Sequence, residues 1–357
     1  MITEVRIRNF KCFKSLTIPD LGRITMIGGR NNVGKTALLE VLFLFFDRMR
    51  ADMILRQYGW RGIEGVAAEP DAMWGPLFYN YDMDREIVIS VRADGALEEA
   101  KFRFNPDFVP PAPAYGGAPP KEQIPTDEQP GRSFSLDIEY TCKDGRKKQL
   151  SHLTLDQQGQ SGLYIEYQQA GGSRAAFLAS KKHIASRNTT NLFSNFVKEG
   201  REDEIVQFLQ IIEPRLERLT VVTEGPASFV HGKLKGIART REIHLMGEGM
   251  EKLLNLVLHI SSTKGGCVFL DEVENGLHYT GLPNIWEAVG KALRTYNCQL
   301  ITTTHSYECL KSACEGLSRM PNEFRYIRLD RKDDDISANV LNYEMVATAI
   351  ETNLEMR

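Results

Sequence analysis

Several things are missing from this chain of 357 residues, and each absence closes off a class of protein. No apolar run approaches the roughly 20 residues needed to span a bilayer; the longest, Val41–Phe46, sits inside an amphipathic helical pattern. The first residues read directly as a strand, with no basic leader and no cleavage site, so no signal peptide is expected and a cytoplasmic location is. The six cysteines (Cys12, Cys142, Cys267, Cys298, Cys309, Cys314) contain no CxxC pair. They read as free buried thiols in a reducing compartment and not as a zinc site or disulfide frame. The seven histidines lack HxxxH spacing, which argues against a structural metal site. Neither sign of charge dominates: 44 Lys and Arg stand against 47 Asp and Glu, for a net charge of −3. No global field therefore demands nucleic acid, although a local basic groove remains open. There is no internal repeat and no heptad run long enough for a coiled-coil arm.

What is present suits a globular protein with one large core, or one core and a smaller lobe. Residues 2–10 alternate, Val5, Ile7 and Phe10 against Arg6 and Arg8, as an edge strand with one buried face does. A second strand, Arg23–Ile27, runs into a glycine-rich turn. A helix follows from Lys35 to about Arg48, with Leu38, Leu39, Leu42, Phe43 and Phe46 on one face. From about Asp84 to Phe177 the period becomes two. Glu86–Arg92 and Leu97–Phe104 flank Asp94-Gly95, while Phe134–Cys142 and Lys147–Leu155 flank Asp144-Gly145, and both dipeptides favour hairpin turns. Between Pro106 and Pro130 fall eight of the fifteen prolines, which predicts a long loop. Helical spacing returns at Asn191–Val197 and at Ile205, Phe208, Leu209 and Ile212. Beyond residue 240 helix and strand alternate, the signature of a parallel α/β core.

Four stretches carry chemistry. Gly29-Arg30-Asn31-Asn32-Val33-Gly34-Lys35-Thr36 matches GxxxxGK[ST], with a strand before it and an amphipathic helix after it. Such a loop wraps phosphates with backbone N–H groups at a helix N-terminus, here expected from Gly29 to Ala37. Lys35 is then placed to reach the β- and γ-phosphates, and Thr36 to ligate Mg²⁺. Cys267-Val268-Phe269-Leu270-Asp271-Glu272 reads as a core strand ending at a metal: Asp271 to hold Mg²⁺, Glu272 as general base for an attacking water. Gln299-Leu300-Ile301-Thr302-Thr303-Thr304-His305 is a β-branched strand delivering His305 to the same sheet edge. There it could meet the γ-phosphate and the water-polarising carboxylate. Met246-Gly247-Glu248-Gly249-Met250 begins a helix with small residues, whose N–H groups suit an anion. The chain's own phosphates are already cradled, so this loop, Gly247, Glu248 and Gly249, points to ATP held by a second protomer.

In this order the four stretches resemble the ABC-type ATPase superfamily, including SMC, RecF and OLD-like proteins, and in particular bacterial AAA-family ATP-binding proteins. The resemblance also rests on Ile7-Arg8-Asn9-Phe10-Lys11-Cys12-Phe13, on Leu270–Tyr279, on Thr303-Thr304-His305-Ser306 and on Ile350-Glu351; residues 50–190 carry no motif. It implies Walker A at Gly29–Thr36, Walker B and base at Asp271 and Glu272, a D-loop at Glu274–His278, a switch histidine at His305 and a signature loop at Gly247–Gly249. The usual signature serine is missing, and no Q-loop glutamine stands at a strand end before residue 190. Only about fifty residues follow His305, and Asp333-Asp334-Asp335 reads as a solvated hairpin tip, so no fused Toprim nuclease is expected. Relatives of this kind occur in anti-phage operons beside an effector such as a Toprim-like nuclease or a toxin.

The expectation is thus a P-loop, ABC-type α/β ATPase head over residues 1–357, with an antiparallel β lobe covering the nucleotide. Its parts are a P-loop segment (1–48), the β lobe (84–180, with a Pro-rich loop at 105–132), a helical region (190–218) and a core carrying signature, Walker B and switch histidine (240–357). ATP and Mg²⁺ are the expected cofactors, and a homodimer or higher homo-oligomer with a companion effector the expected assembly. One rival is an ATP-controlled DNA clamp using Arg6, Arg8, Lys11 and Lys14, or Lys181-Lys182-His183 with Arg187. The other is a slowly hydrolysing scaffold or sensor.

Overall fold

A computed structural model describes residues 1–63, 65–67, 69–109, 133–155, 161–168, 175–179, 186–275, 281–354 and 356. Two sheets share the work. The first is antiparallel over its seven strands: β1 (Ile2–Phe10), β2 (Phe13–Ile18), β4 (Ile87–Ala93), β5 (Ala96–Phe108), β6 (Ser133–Cys142), β7 (Lys148–Leu155) and β8 (Ser161–Gln168), in the order β2-β1-β4-β5-β6-β7-β8. The second has six strands: β3 (Ile24–Gly29), β9 (Ala175–Leu178), β13 (Cys267–Leu270), β14 (Gln299–Thr303), β15 (Phe324–Lys332) and β16 (Asp335–Asn342), in the order β16-β15-β3-β14-β13-β9. All its neighbouring strands run parallel except the β15–β16 hairpin. A small third sheet joins β10 (Leu216–Glu224), β11 (Ala227–Leu234) and β12 (Arg241–Glu242).

The helices explain why the chain needs both large sheets. One face of the six-stranded sheet is covered by α6 (Glu248–Ser262), α7 (Leu282–Thr295), α8 (Tyr307–Gly316) and α9 (Tyr343–Glu351), which share a core with α4 (Ser186–Glu199), α5 (Glu202–Leu209) and the inward residues Met26, Val268, Leu300 and Phe324. The other face receives α1 (Lys35–Asp47), which lies between the two sheets with α2 (Met53–Trp60) and the single turn α3 (Pro70–Met73) alongside. That position buries α1 on almost every side, from Ala37 to Phe45 and again at Asp47. Phe43 meets Phe177 of β9 and Phe269 of β13 edge-on, at 5.5 and 6.1 Å between ring centres. Each fully buried leucine or phenylalanine there contributes roughly 1.5–3 kcal/mol of transfer free energy.

Two sequence expectations change here. β1 is not an edge strand, since β2 and β4 pair on either side of it. The reversal that hides β2 needs no glycine: Asn9 and Lys11 take left-handed φ of 57° and 47°, and Phe10 pairs with Phe13. The period-two stretch from Asp84 onward is therefore not a sheet of its own: it extends one begun by the N-terminal β1 and β2. Gln299 ties it to the parallel sheet, its Nε2 donating to Ile2 O and Gly22 O (both 2.8 Å) and its Oε1 accepting from Ile2 N (2.9 Å). The hairpin turns fall as predicted, with Asp94 and Gly95 both left-handed (49° and 82°). Asp333 (φ 54°) turns the exposed β15–β16 tip. Most of the proline-rich stretch, residues 110–132, lies outside the described residues. Among the described residues no helix is long and apolar enough to cross a membrane.

Candidate functional site

β3 ends at Gly29 (φ 130°), where a Cβ would stand 2.4 Å from Leu329 O of the neighbouring strand. The loop then turns into α1 at Gly34 (φ 93°), where a Cβ would meet Cys12 Sγ at 2.6 Å and Phe13 Cζ at 2.8 Å. Both glycines are thus required by close approach as well as by φ. Gly34 caps α1 without a side-chain hydrogen bond, and no acidic residue stands in the first turn, so the positive end of the helix dipole is left for an anion. Arg30, Asn31 and Asn32 are exposed at the rim and Val33 is buried beneath them. Lys35 Nζ donates to Gly29 O (2.8 Å) and Arg30 O (2.9 Å), folding back over the loop. Burial pulls the Lys35 ammonium below its ordinary value, against the opposing pull of Glu272, Glu274 and Asp271.

β13 and β14 deliver their ends to the same place. Thr36 Oγ1 lies 3.2 Å from both carboxylate oxygens of Asp271. Thr303 Oγ1 donates to Asp271 Oδ1 (2.6 Å) and accepts from Glu272 N (2.8 Å), so one hydroxyl locks both acids. Burial pushes the Asp271 carboxyl up, helped by the charge of Glu272, while the Thr303 and Thr36 hydroxyls pull it down. Glu272 is left-handed (φ 49°), a strained setting for a residue without special need of it. Its Oε2 accepts from Asn275 Nδ2 (2.7 Å). The His305 ring meets Glu274, not Glu272: Nδ1 is 2.8 Å from Glu274 Oε1, the same oxygen that accepts from His305 N at 2.7 Å. The carboxylate beside the ring is thus the one two residues beyond Glu272.

Lys252 of α6 explains how this corner keeps its shape. Its Nζ donates to Val273 O (2.6 Å) and to Asn275 O, holding the chain just after the acid pair. Burial lowers the Lys252 ammonium to about 8, although Glu274 and Glu272 act to raise it. The rest of the segment expected as a D-loop, residues 276–278, lies outside the described residues, as do Lys181, Lys182 and His183 and the side chain of Arg187. Gly247 (φ 120°) caps α6, and Glu248 is exposed beside the half-buried Gly249. Glu248 and Glu251 place two carboxylates in that first turn, which an incoming phosphate would have to clear.

A cavity of about 1000 Å³ opens at the P-loop, reaching from Gly34, Lys35, Thr36 and Glu272 to Gln57, Arg61 and Tyr81. Its outer wall is α2 and residues 76–81; among the described residues none of the expected β lobe, 84–180, lines it. Within that wall an ion cluster forms around the buried Glu40. Arg61 clamps Glu40 with two hydrogen bonds (2.6 and 2.7 Å) and Lys11 Nζ adds a third at 2.8 Å. Burial pushes the Glu40 carboxyl up, but Arg61 and Lys11 outweigh it and hold it below the ordinary range. Sequence reasoning placed Lys11 in the N-terminal motif but read it as a possible phosphate contact. Its true partner, Glu40, sits 29 residues away inside an apolar helix and gives no pattern to read. Among the described residues no group of three or more His, Cys, Asp or Glu is arranged to hold a metal ion.

Three comparisons bear on this geometry. Residues 24–310 match the family model described as "AAA domain, putative AbiEii toxin, Type IV TA system". An "ATP/GTP phosphatase" of Helicobacter pylori is 24% identical over 335 residues, covering 87% of each chain. An uncharacterized protein of Methanocaldococcus jannaschii is 29% identical over 107 residues, which cover 30% of this chain and 94% of that protein. Among solved structures, the SMC head bound to the C-terminal winged-helix domain of ScpA superposes with a TM-score of 0.51 at 13% identity, covering 96% of this chain and 98% of that one. The fold is therefore that of an SMC-type P-loop ATPase head, with no long coiled coil among the described residues. With a phosphate-binding loop, a strand-end acid pair and a family model spanning most of its length, the chain belongs to the AAA-domain family of the putative AbiEii toxins.

Proposed function

We propose that this protein binds ATP with Mg²⁺, hydrolyses it, and uses the nucleotide to hold two copies of itself together. The observation that carries this reading is the convergence of Thr36, Asp271 and Thr303 at the uncapped end of α1, with Thr36 and Glu272 facing the cavity there. The hydroxyl of Thr36 and the carboxylate of Asp271 are hard oxygen donors close enough to share an ion, and they leave further positions to phosphate and water, as Mg²⁺ prefers. When bound, the ion would neutralise charge on the phosphates. The N–H groups of the loop from Gly29 to Ala37 would hold the phosphate chain, and Lys35 would exchange the carbonyls of Gly29 and Arg30 for phosphate oxygens.

Glu272 would take a proton from water as its oxygen bonds to the γ-phosphorus and the bond to ADP breaks. Its tether to Asn275 would limit the rotamers open to that carboxylate. His305, with Nδ1 engaged by Glu274, keeps Nε2 for the transferring phosphoryl group. Gly247, Glu248 and Gly249 take no part in lining the chain's own cavity. That supports a role for them on the nucleotide of a second protomer, with closure and reopening as the output. The family's toxin–antitoxin description supports control of a companion effector, and a place in anti-phage defence, as the use of that output. The DNA-clamp alternative loses residues: Arg6 is paired with Glu4 at 2.6 Å, and Lys11 is buried against Glu40.

The test is phosphate release from ATP by the wild type and by Glu272→Gln. Turnover is expected to fall about 10²- to 10⁴-fold in the variant, with ATP binding retained. Equal turnover in the two proteins would remove Glu272 as the base.

A further inference from the structure

The cavity at the P-loop is larger than a triphosphate needs, and lies at the upper end of the range for drug-sized ligands. Beyond the phosphate loop its wall is made by Gln57, Tyr58, Arg61, Asn80 and Tyr81. Three of these are spent on the protein. Gln57 bridges Lys11 and Glu40 O, Arg61 clamps Glu40, and the Tyr58 hydroxyl donates to Met73 O at 2.9 Å. Tyr58 and Tyr81 line the same cavity.

Tyr81 differs from the others. It is 68% exposed although it lines the cavity. Among the described residues no hydrogen bond engages the side chain of Tyr81 or of Asn80. Both take left-handed φ, 59° and 54°, a conformation that side-chain-bearing residues avoid and that persists where the surroundings enforce it. The enforcement is visible. Lys11 N donates to Leu77 O (2.8 Å), Phe10 bridges to Phe78, and Met83 N donates to Tyr81 O (3.0 Å). The ring edge leans on Gly75, where a Cβ would stand only 3.2 Å from Tyr81 Cδ1. An aromatic face is thus propped at the far end of a cavity whose near end suits phosphates.

We infer that Tyr81 is the platform on which the nucleobase of the bound nucleotide stacks, with Asn80 at the base edge. The inference rests on the ATP site proposed above and adds where its nucleoside end goes. Stacking uses the π face that every base has, so purines are accepted alike and the ring edge is read weakly.

The experiment is calorimetric titration of the full chain with ATP, GTP and inorganic tripolyphosphate, each with Mg²⁺, for the wild type, Tyr81→Ala and Tyr81→Phe. Tyr81→Ala is expected to weaken ATP and GTP roughly tenfold and to leave tripolyphosphate, which has no base, unchanged. Tyr81→Phe keeps the ring face and is expected to bind all three as the wild type does. Unchanged ATP affinity in Tyr81→Ala overturns the inference alone, as does an equal loss for ATP and tripolyphosphate, which marks a structural defect. Failure of the wild type to bind either ATP or tripolyphosphate overturns the P-loop reading and this inference with it.

Discussion

The two walls of the large cavity are made from different materials. The inner wall is mostly backbone: a glycine-turned loop, the bare end of α1, and beside it the end of β13 bearing Asp271 and Glu272 and the end of β14 bearing Thr303. The outer wall is side chains drawn from α2 and residues 76–81, propped on the ion cluster that Lys11 and Arg61 form around the buried Glu40. Backbone donors at a helix terminus can hold phosphate in any chain that repeats the local spacing, so the inner wall is written as a motif. The outer wall depends on contacts between residues tens of positions apart, and its chemistry is charge burial and ring support. One wall is suited to the reacting phosphates, the other to holding shape around the rest of the ligand.

The comparison breaks most sharply at Glu40. It is fully buried, and Glu40→Ala leaves Lys11 and Arg61 facing each other without their shared anion. Loss of one member of such a buried pair costs roughly 3–5 kcal/mol. A matching fall in the free energy of urea unfolding is expected, and the double variant Lys11→Met with Glu40→Leu should recover part of it. No change in stability would mean that the outer wall does not lean on this cluster. Lys35→Ala is the converse case. Lys35 is half-buried and bonded only to the loop carbonyls, so unfolding should be nearly unaffected. ATP affinity should drop roughly 10- to 100-fold, the worth of a charge-assisted hydrogen bond to phosphate. A large stability loss with intact ATP binding would reverse the assignment of the two walls.

The smallest effect lies at Lys252, which joins α6 to the acid corner. In the unfolded chain its ammonium keeps its proton to about 10.5, whereas in the folded protein it gives it up near 8. Between those values the unfolded chain binds more protons, so this residue makes stability rise with pH across that window. Relative to Lys252→Met, the wild-type melting temperature should gain a few degrees from pH 8 to pH 10, by calorimetry at several pH values. Parallel curves for the two proteins would show that Lys252 does not carry the buried charge.

How much could be read beforehand follows from the same contrast. Gly29–Thr36, Asp271-Glu272 and the α6–β13–α7–β14–α8–β15 alternation are local patterns, and the structure places them at one sheet edge. The hairpin at Asp94-Gly95 was legible because its left-handed turn has a favoured dipeptide. β2 was not, because Asn9 and Lys11 make the reversal without glycine or proline. β9 is only four residues long and is defined by pairing with β13, a partner almost a hundred residues away. The β10–β11 hairpin, turning at Gly225 (φ 61°), also escaped, lying in a stretch that carries no chemical motif. His305 was legible as a strand-end histidine, but its partner Glu274 was not, since either of two nearby carboxylates fits the pattern.

Whether ATP joins two of these chains is read from molar mass by light scattering on the Glu272→Gln protein, where bound ATP is expected to persist. With ATP and Mg²⁺ the expected mass is twice the 40.4 kDa of a single chain, and without nucleotide that of one chain. A mass that stays at one chain under saturating ATP would contradict it.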